Sequence, residues 1–195
     1  MSRHVVITGL GVVSALGPTV SDFWSALREG RSAIRPLGPL GQGTRISTGA
    51  IVPDHDPERH FSADELPLLD RCSQFAVLAA REALEDAGLA GDAATVKAAA
   101  TVIGTGCGGK HTDEETYARL YKQQKTRAHP LTIPRGMPSA AASLVSQDLG
   151  IQGPVFSVAS ACASAAHATI QGCLMIQSGL IDVALVGGTD APFTY

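Results

Sequence analysis

The sequence predicts a layered α/β fold with a mostly parallel central sheet. Three observations carry that expectation. Short, nearly continuous apolar runs rich in β-branched residues recur along the chain; segments of helical period lie between them; and each change of pattern falls at Gly, Pro, Ser or Asp. Residues 4–14, HVVITGLGVVS, form the first strand-like run, broken by Gly9 and Gly11. A helix follows Ser21, with Phe23, Trp24 and Leu27 on one face and Gly30 as its stop. From Leu37 to Leu69 the chain holds no period and is read as a surface excursion. The clearest helix runs from Arg71 to Ala87, where Phe75, Leu78, Ala79, Ala83 and Leu84 recur at helical spacing, Asp70 caps the start and Gly88 the end. Further strands are expected at residues 98–104, at Val155–Ser160 and at Asp182–Val186, all with the apolar character of strands covered on both faces. Cys162–Ser178 is small or apolar nearly all round, which predicts a helix buried on several sides.

The chain has 195 residues, enough for one sizeable core, and 15 basic against 18 acidic residues leave a formal net charge of −3. Lys and Arg are scattered among Asp and Glu, so no nucleic-acid footprint is visible. The apolar runs are far shorter than the roughly 20 residues a bilayer span needs. The N-terminus enters a strand-like run without the apolar region of a signal peptide, so the expected location is cytoplasmic. Cysteines stand at 72, 107, 162 and 173 without a CxxC pair or a His at zinc-ligand spacing, so neither a disulfide framework nor a metal site is suggested.

Gly104-Thr105-Gly106-Cys107-Gly108-Gly109-Lys110 nearly spells a phosphate loop. It fails at His111, where a Ser or Thr is needed to hold Mg²⁺. A tight turn beside another element is the better reading. Gly9-Leu10-Gly11 similarly lacks the third glycine of a dinucleotide loop, since Ser14 stands there. The segment Ser160-Ala161-Cys162-Ala163-Ser164 is different, because a strand turns abruptly into a helix. A Cys at that turn lies at the positive end of the helix dipole, which favours a thiolate, and its own N–H can face a developing oxyanion. Pattern alone leaves an inert core thiol as the alternative.

These residues resemble the N-terminal part of a β-ketoacyl-acyl carrier protein synthase, a condensing enzyme of fatty-acid or polyketide synthesis. The likeness covers essentially the whole chain: residues 5–14 with Gly17 and Phe23-Trp24, Leu69-Asp70-Arg71 with the helix Ala79–Gly88, and the loop Gly104–Gly109. Most specific are Gly153-Pro154, Ala161-Cys162-Ala163-Ser164 and Gly187-Gly188-Thr189-Asp190, in the family's order and spacing.

The resemblance implies that residues 1–195 are the N-terminal half of a thiolase-like fold, incomplete at the C-terminal end. It implies that Cys162 accepts an acyl chain from acyl carrier protein as a thioester, followed by decarboxylative Claisen condensation with malonyl carrier protein. The two His and the Lys of that second step belong to the C-terminal half and are missing here. The resemblance places Cys107 where elongating members carry the acyl-pocket gate, usually a larger aliphatic residue; a widened pocket and a plain loop thiol are the two readings. No metal or organic cofactor is implied; phosphopantetheine arrives on the carrier protein. Homodimerisation is implied through the strand ahead of the nucleophile, Val155–Ala159, or else a partner chain supplies the C-terminal half. A thiolase-like acyltransferase without decarboxylation and a non-catalytic chain-length subunit are the rival readings. Cys162 speaks against the latter.

Other polar residues receive structural expectations. His167 reads as a core or interface histidine, Cys72 and Cys173 as packing thiols, Asp70-Arg71 as an ion pair and Lys110 as a solvated loop lysine.

Overall fold

A computed structural model describes residues 3–43, 45–52 and 55–193. Three parallel strands, β3 (Ala100–Gly104), β4 (Val155–Val158) and β5 (Ala184–Gly188), form a sheet of order β4-β3-β5. Registers run from Thr101 opposite Val155 and from Ala100 opposite Ala184. Alternation of side chains sorts the faces. Ile103 and Leu185 turn toward α2 (Arg71–Asp86) and α6 (Ala140–Leu149), in a core with Ala76, Val77, Ala80, Ala141, Ala142 and Val145. Gly104, Ala184 and Val186 turn toward α7 (Ser164–Gln177). The parallel layered class expected from the sequence is therefore present.

The end signals of α2 act as read. Asp70 accepts the Cys72 N–H at 3.0 Å, and Gly88 takes the left-handed conformation at φ +68°. Arg81 on α2 grips Asp148 on α6 with two nitrogens, at 2.8 and 2.5 Å, tying two covering helices together. Helix α1 (Val20–Arg28) is capped by Thr19 and ends before Gly30 at φ +67°, but Trp24 and Leu27 are half exposed. Among the described residues, the excursion at 37–69 holds 3₁₀ turns and β2 (Thr48–Gly49), which pairs antiparallel with β1 (Arg35–Pro36) just ahead of it. It is not wholly superficial, since Phe61 and Leu69 enter the core. Residues 44, 53 and 54, within that excursion, lie outside the described residues. Three further helices precede α6 without having been expected: α3 (Ala93–Ala98), α4 (Lys110–Tyr117), which runs on into a π turn at Ala118–Lys122, and α5 (Thr132–Gly136).

Two expectations are corrected. Residues 4–14 form no strand, and Ser14 makes only an isolated bridge, to Gly17. The Leu10 N–H donates to Asp86 and the Val12 N–H to Glu82, so carboxylates of α2 occupy donors that a neighbouring strand would otherwise use. The glycines serve this seat: a methyl group on Gly9 would lie 2.1 Å from the Ala83 carbonyl oxygen, and one on Gly11 1.8 Å from that of Ala79. Between this segment and β5 runs a cleft of about 250 Å³, lined by residues 5–11, by Ala76, Ala79, Ala80 and Ala83, and by Thr169, Gly172 and Cys173.

The second correction concerns α7, which is buried along one face only. Ser164, Ala168 and Gly172, spaced four apart, meet the sheet, while Ile170 and Leu174 are half exposed. His167, on the same helix, is exposed and so is not a core histidine.

A close backbone approach also joins β3 to α7. A Cβ on Gly104 would lie 2.3 Å from the Ser164 carbonyl carbon and oxygen. Gly104→Ala is expected to destabilise the protein by at least about 1–3 kcal/mol, because backbone must move to admit the methyl; the urea midpoint measures it.

Candidate active site

Cys162 stands in the turn between β4 and α7, exposed and two residues ahead of the first helical residue. The preceding residue carries the distortion that makes the turn. Ala161 sits at φ +52°, a left-handed conformation that costs an L-residue about 1–2 kcal/mol. The Ser164 side chain, buried to 2% exposure, holds it there. Its Oγ accepts the Ser160 N–H at 2.8 Å, donates to the Ala161 carbonyl at 2.7 Å and lies 3.2 Å from the Thr105 carbonyl. One hydroxyl thus spans the turn from Ser160 to Ser164. Among the described residues the Cys162 N–H has no hydrogen-bond partner, so it is free to donate to an oxyanion at the sulfur.

The loop after β3 lies against this turn. A methyl on Gly106 would rest 3.5 Å from Ala161, so the exposed Cys107 and the Cys162 turn belong to one neighbourhood. The N–H groups that give the loop its phosphate-loop appearance are already engaged. Asp190 accepts from Gly106 N at 3.1 Å and Cys107 N at 2.9 Å, while the Gly108 N–H donates to Thr105 Oγ1 at 2.9 Å. A carboxylate of the chain itself fills the anion-binding concavity, which agrees with the tight-turn reading. Neither Asp190 nor Ser164 was singled out for a role by sequence reasoning. The available signal was a Ser two residues beyond the Cys, and an Asp directly after the strand-ending Gly187-Gly188-Thr189.

The far end of the loop is fixed by Asp70. This fully buried carboxylate accepts Cys72 N on one oxygen, and Thr112 N at 2.8 Å and Thr112 Oγ1 at 2.7 Å on the other. The expected ion pair with Arg71 is absent among the described contacts; Arg71 lies over the Phe75 ring instead, 5.6 Å from its centroid. Desolvation and the backbone donors explain the choice, since three N–H and O–H groups already satisfy Asp70 in the core. Lys110 is not a loop residue but the first residue of α4, paired with Asp113 at 3.0 Å.

The cysteines separate by environment. Cys72 packs with Phe75 and Ala191, as expected of a packing thiol, and donates to the Gly108 carbonyl. Burial, reinforced by the neighbouring Asp70 carboxylate, pushes its thiol far above the usual cysteine range. Cys173 is partly buried and lines the cleft described above. Among the described residues no group of three His, Cys, Asp or Glu side chains could hold a metal ion, and no helix is long and apolar enough to cross a membrane.

A cysteine on a strand–turn–helix, set over a parallel sheet with helices on both faces, defines a thiolase-like α/β protein. Residues 2–195 match the family described as beta-ketoacyl synthase, N-terminal domain, and the chain belongs to that family. Nodulation protein E of Rhizobium sp. (strain N33) is 43% identical over 202 residues, covering 100% of this chain and 48% of that protein. The 3-oxoacyl-[acyl-carrier-protein] synthase 2 of Staphylococcus aureus (strain COL) is 31% identical over 201 residues, covering 100% and 47%. Among solved structures, the ishigamide ketosynthase/chain length factor superposes with a TM-score of 0.88 at 32% identity, over 98% of this chain and 48% of that one. AntDE:AntF, a type II polyketide ketosynthase in complex with its acyl-carrier protein, gives 0.79 at 27% identity, over 98% and 46%. The chain therefore spans about half the length of the curated relatives it matches.

Iodoacetamide at neutral pH, followed by peptide mass mapping, is expected to label Cys107 and Cys162 in the folded protein and to leave Cys72 unmodified until denaturant is added.

Proposed function

We propose that this chain is the acyl-accepting half of a ketosynthase. The Cys162 sulfur attacks the thioester carbonyl of an acyl group carried on acyl carrier protein. A carbon–sulfur bond to Cys162 forms, the bond to the phosphopantetheine sulfur breaks, and the proton from the Cys162 thiol ends on the departing phosphopantetheine thiol. The Cys162 N–H stabilises the oxyanion of the tetrahedral intermediate. The observation that carries this reading is the exposed thiol with an unengaged N–H, on a turn held in a strained conformation by a buried serine. Cys107, on the adjoining loop, gates the acyl pocket.

Condensation with malonyl carrier protein needs the His, His and Lys groups of a C-terminal half, from a continuous polypeptide or a partner chain. Two features support a completing element. Val6 and Ile7 stand 73% and 81% exposed beside an apolar cleft, and β5, paired only with β3 among the described strands, forms the opposite wall. The exposed Ile170 and Leu174 of α7 offer a further apolar surface. β4, paired only with β3 among the described strands, is the edge through which a homodimer would form. The protein works in the cytoplasm and uses no cofactor of its own beyond the carrier's phosphopantetheine.

Intact-mass measurement of the native protein after exposure to acyl-loaded carrier protein tests this reading. The expected result is a gain of one acyl group that Cys162→Ala abolishes. No Cys162-dependent adduct would refute the assignment.

A further inference from the structure

The loop that carries Cys107 is held at two places by two carboxylates of different character. Asp70 pins its far end through Thr112 and is fully buried. Asp190 pins its near end and is exposed to solvent. Three donors of the loop converge on Asp190: Thr105 Oγ1 at 2.9 Å, Gly106 N at 3.1 Å and Cys107 N at 2.9 Å. Thr105 Oγ1 in turn accepts the Gly108 N–H, so the whole turn from 105 to 108 hangs on that carboxylate.

The loop has little freedom elsewhere. A methyl on Gly109 would lie 2.4 Å from the Arg135 carbonyl oxygen, and one on Gly108 3.0 Å from that of Gly136, so the loop's back is closed against α5. Gly106 and Cys107 are its exposed residues, and Gly106 meets Ala161 only at ordinary contact distance. The position of the Cys107 backbone is thus set chiefly by Asp190. Asp190 is itself fixed by its neighbour, since the Thr189 N–H donates to the Gly104 carbonyl and the Thr189 hydroxyl to the Cys72 carbonyl at 2.6 Å. The carboxylate therefore refers the loop to the ends of β3 and β5 and to the start of α2.

We propose that Asp190 is a positioning residue for acyl-chain selection: it holds the Gly106–Cys107 backbone against the Cys162 turn and so fixes the width of the entrance to the acyl pocket. This rests on the ketosynthase reading of Cys162 and adds a residue to it. Loss of the carboxylate leaves two or three loop donors without their acceptor and lets the loop shift toward solvent. The consequence is a change in which chains reach Cys162, because a pocket distinguishes chains by fit of successive methylenes.

The test uses Asp190→Asn, which keeps side-chain volume and removes the charge, and Thr105→Val, which removes the hydroxyl link at nearly constant shape. In the native protein, Gly106 and Cys107 amides should exchange with solvent about tenfold faster in Asp190→Asn, while the Thr112 amide, bonded to Asp70, keeps its rate. The ratio of Cys162 acylation rates with hexanoyl- and myristoyl-loaded carrier protein should move by about fivefold or more in both variants. Faster exchange with an unchanged chain-length ratio would overturn the specificity role. Unchanged exchange would overturn the positioning itself. If the wild-type Cys162 takes up neither chain, the ketosynthase reading fails and this role falls with it, an outcome distinct from a wild type that acylates with a ratio insensitive to Asp190.

Discussion

A single buried hydroxyl, Ser164 Oγ, determines how strand, turn and helix meet at Cys162. It accepts from Ser160, donates to Ala161 and touches the carbonyl of Thr105, so it links β4, α7 and β3 within one side chain's reach. The junction works because the neighbouring positions carry no side chain. Gly104 admits the Ser164 backbone, and Gly188 admits Ala165, whose Cβ would be 2.6 Å from a methyl there. The left-handed Ala161 is stable only inside this arrangement. Without the serine, the Ser160 N–H would lose its acceptor, a cost of about 1–3 kcal/mol where it is buried.

From that junction the rest of the site follows by short connections. Thr105 passes the constraint to Asp190, and Asp190 passes it to Cys107. Asp70 closes the same loop from the other side and, being wholly buried, also fixes the first turn of α2. The chain thus builds two cysteine-bearing turns with backbone donors and four oxygen-bearing side chains, those of Ser164, Thr105, Asp190 and Asp70, and leaves exposed the two thiols it places there. Cys72, only a few residues from Asp70, is withdrawn from chemistry by burial. Position relative to solvent, rather than residue type, separates a reactive thiol from a packing one.

Much of this was legible in the residues. Asp70 and Gly88 bracket α2 because capping is local chemistry, and β3, buried throughout, stands out as the continuous apolar run of a strand covered on both faces; β4 and β5 carry similar apolar runs but are only partly buried. Ala161-Cys162 was recognisable as a turn from its place between such a strand and a small-residue helix. What failed was long-range. Residues 4–14 have strand composition, yet their donors meet Glu82 and Asp86 some 70 or more positions away, as the sequence separations of 70 and 76 record. α7 reads as buried on several sides, but in this chain only its small-residue stripe meets the sheet. Helices α3 to α6 were missed because their turns are short or built on alanine, which gives weak periodicity. Asp190 drew no structural expectation because its partners lie 83 to 85 residues away. Family resemblance supplied the role of Cys162, which pattern alone left open between nucleophile and core thiol.

The central claim is that the serine-held turn presents Cys162 for acyl transfer. The most direct measurement is the single-turnover rate of Cys162 acylation by acyl carrier protein in Ser164→Ala and Ser164→Thr, at a temperature where both are folded. The account predicts a fall of about tenfold or more in Ser164→Ala, since a small misplacement of a nucleophile is costly, with substantial recovery in Ser164→Thr, which restores the hydroxyl. An unchanged rate in folded Ser164→Ala would contradict it.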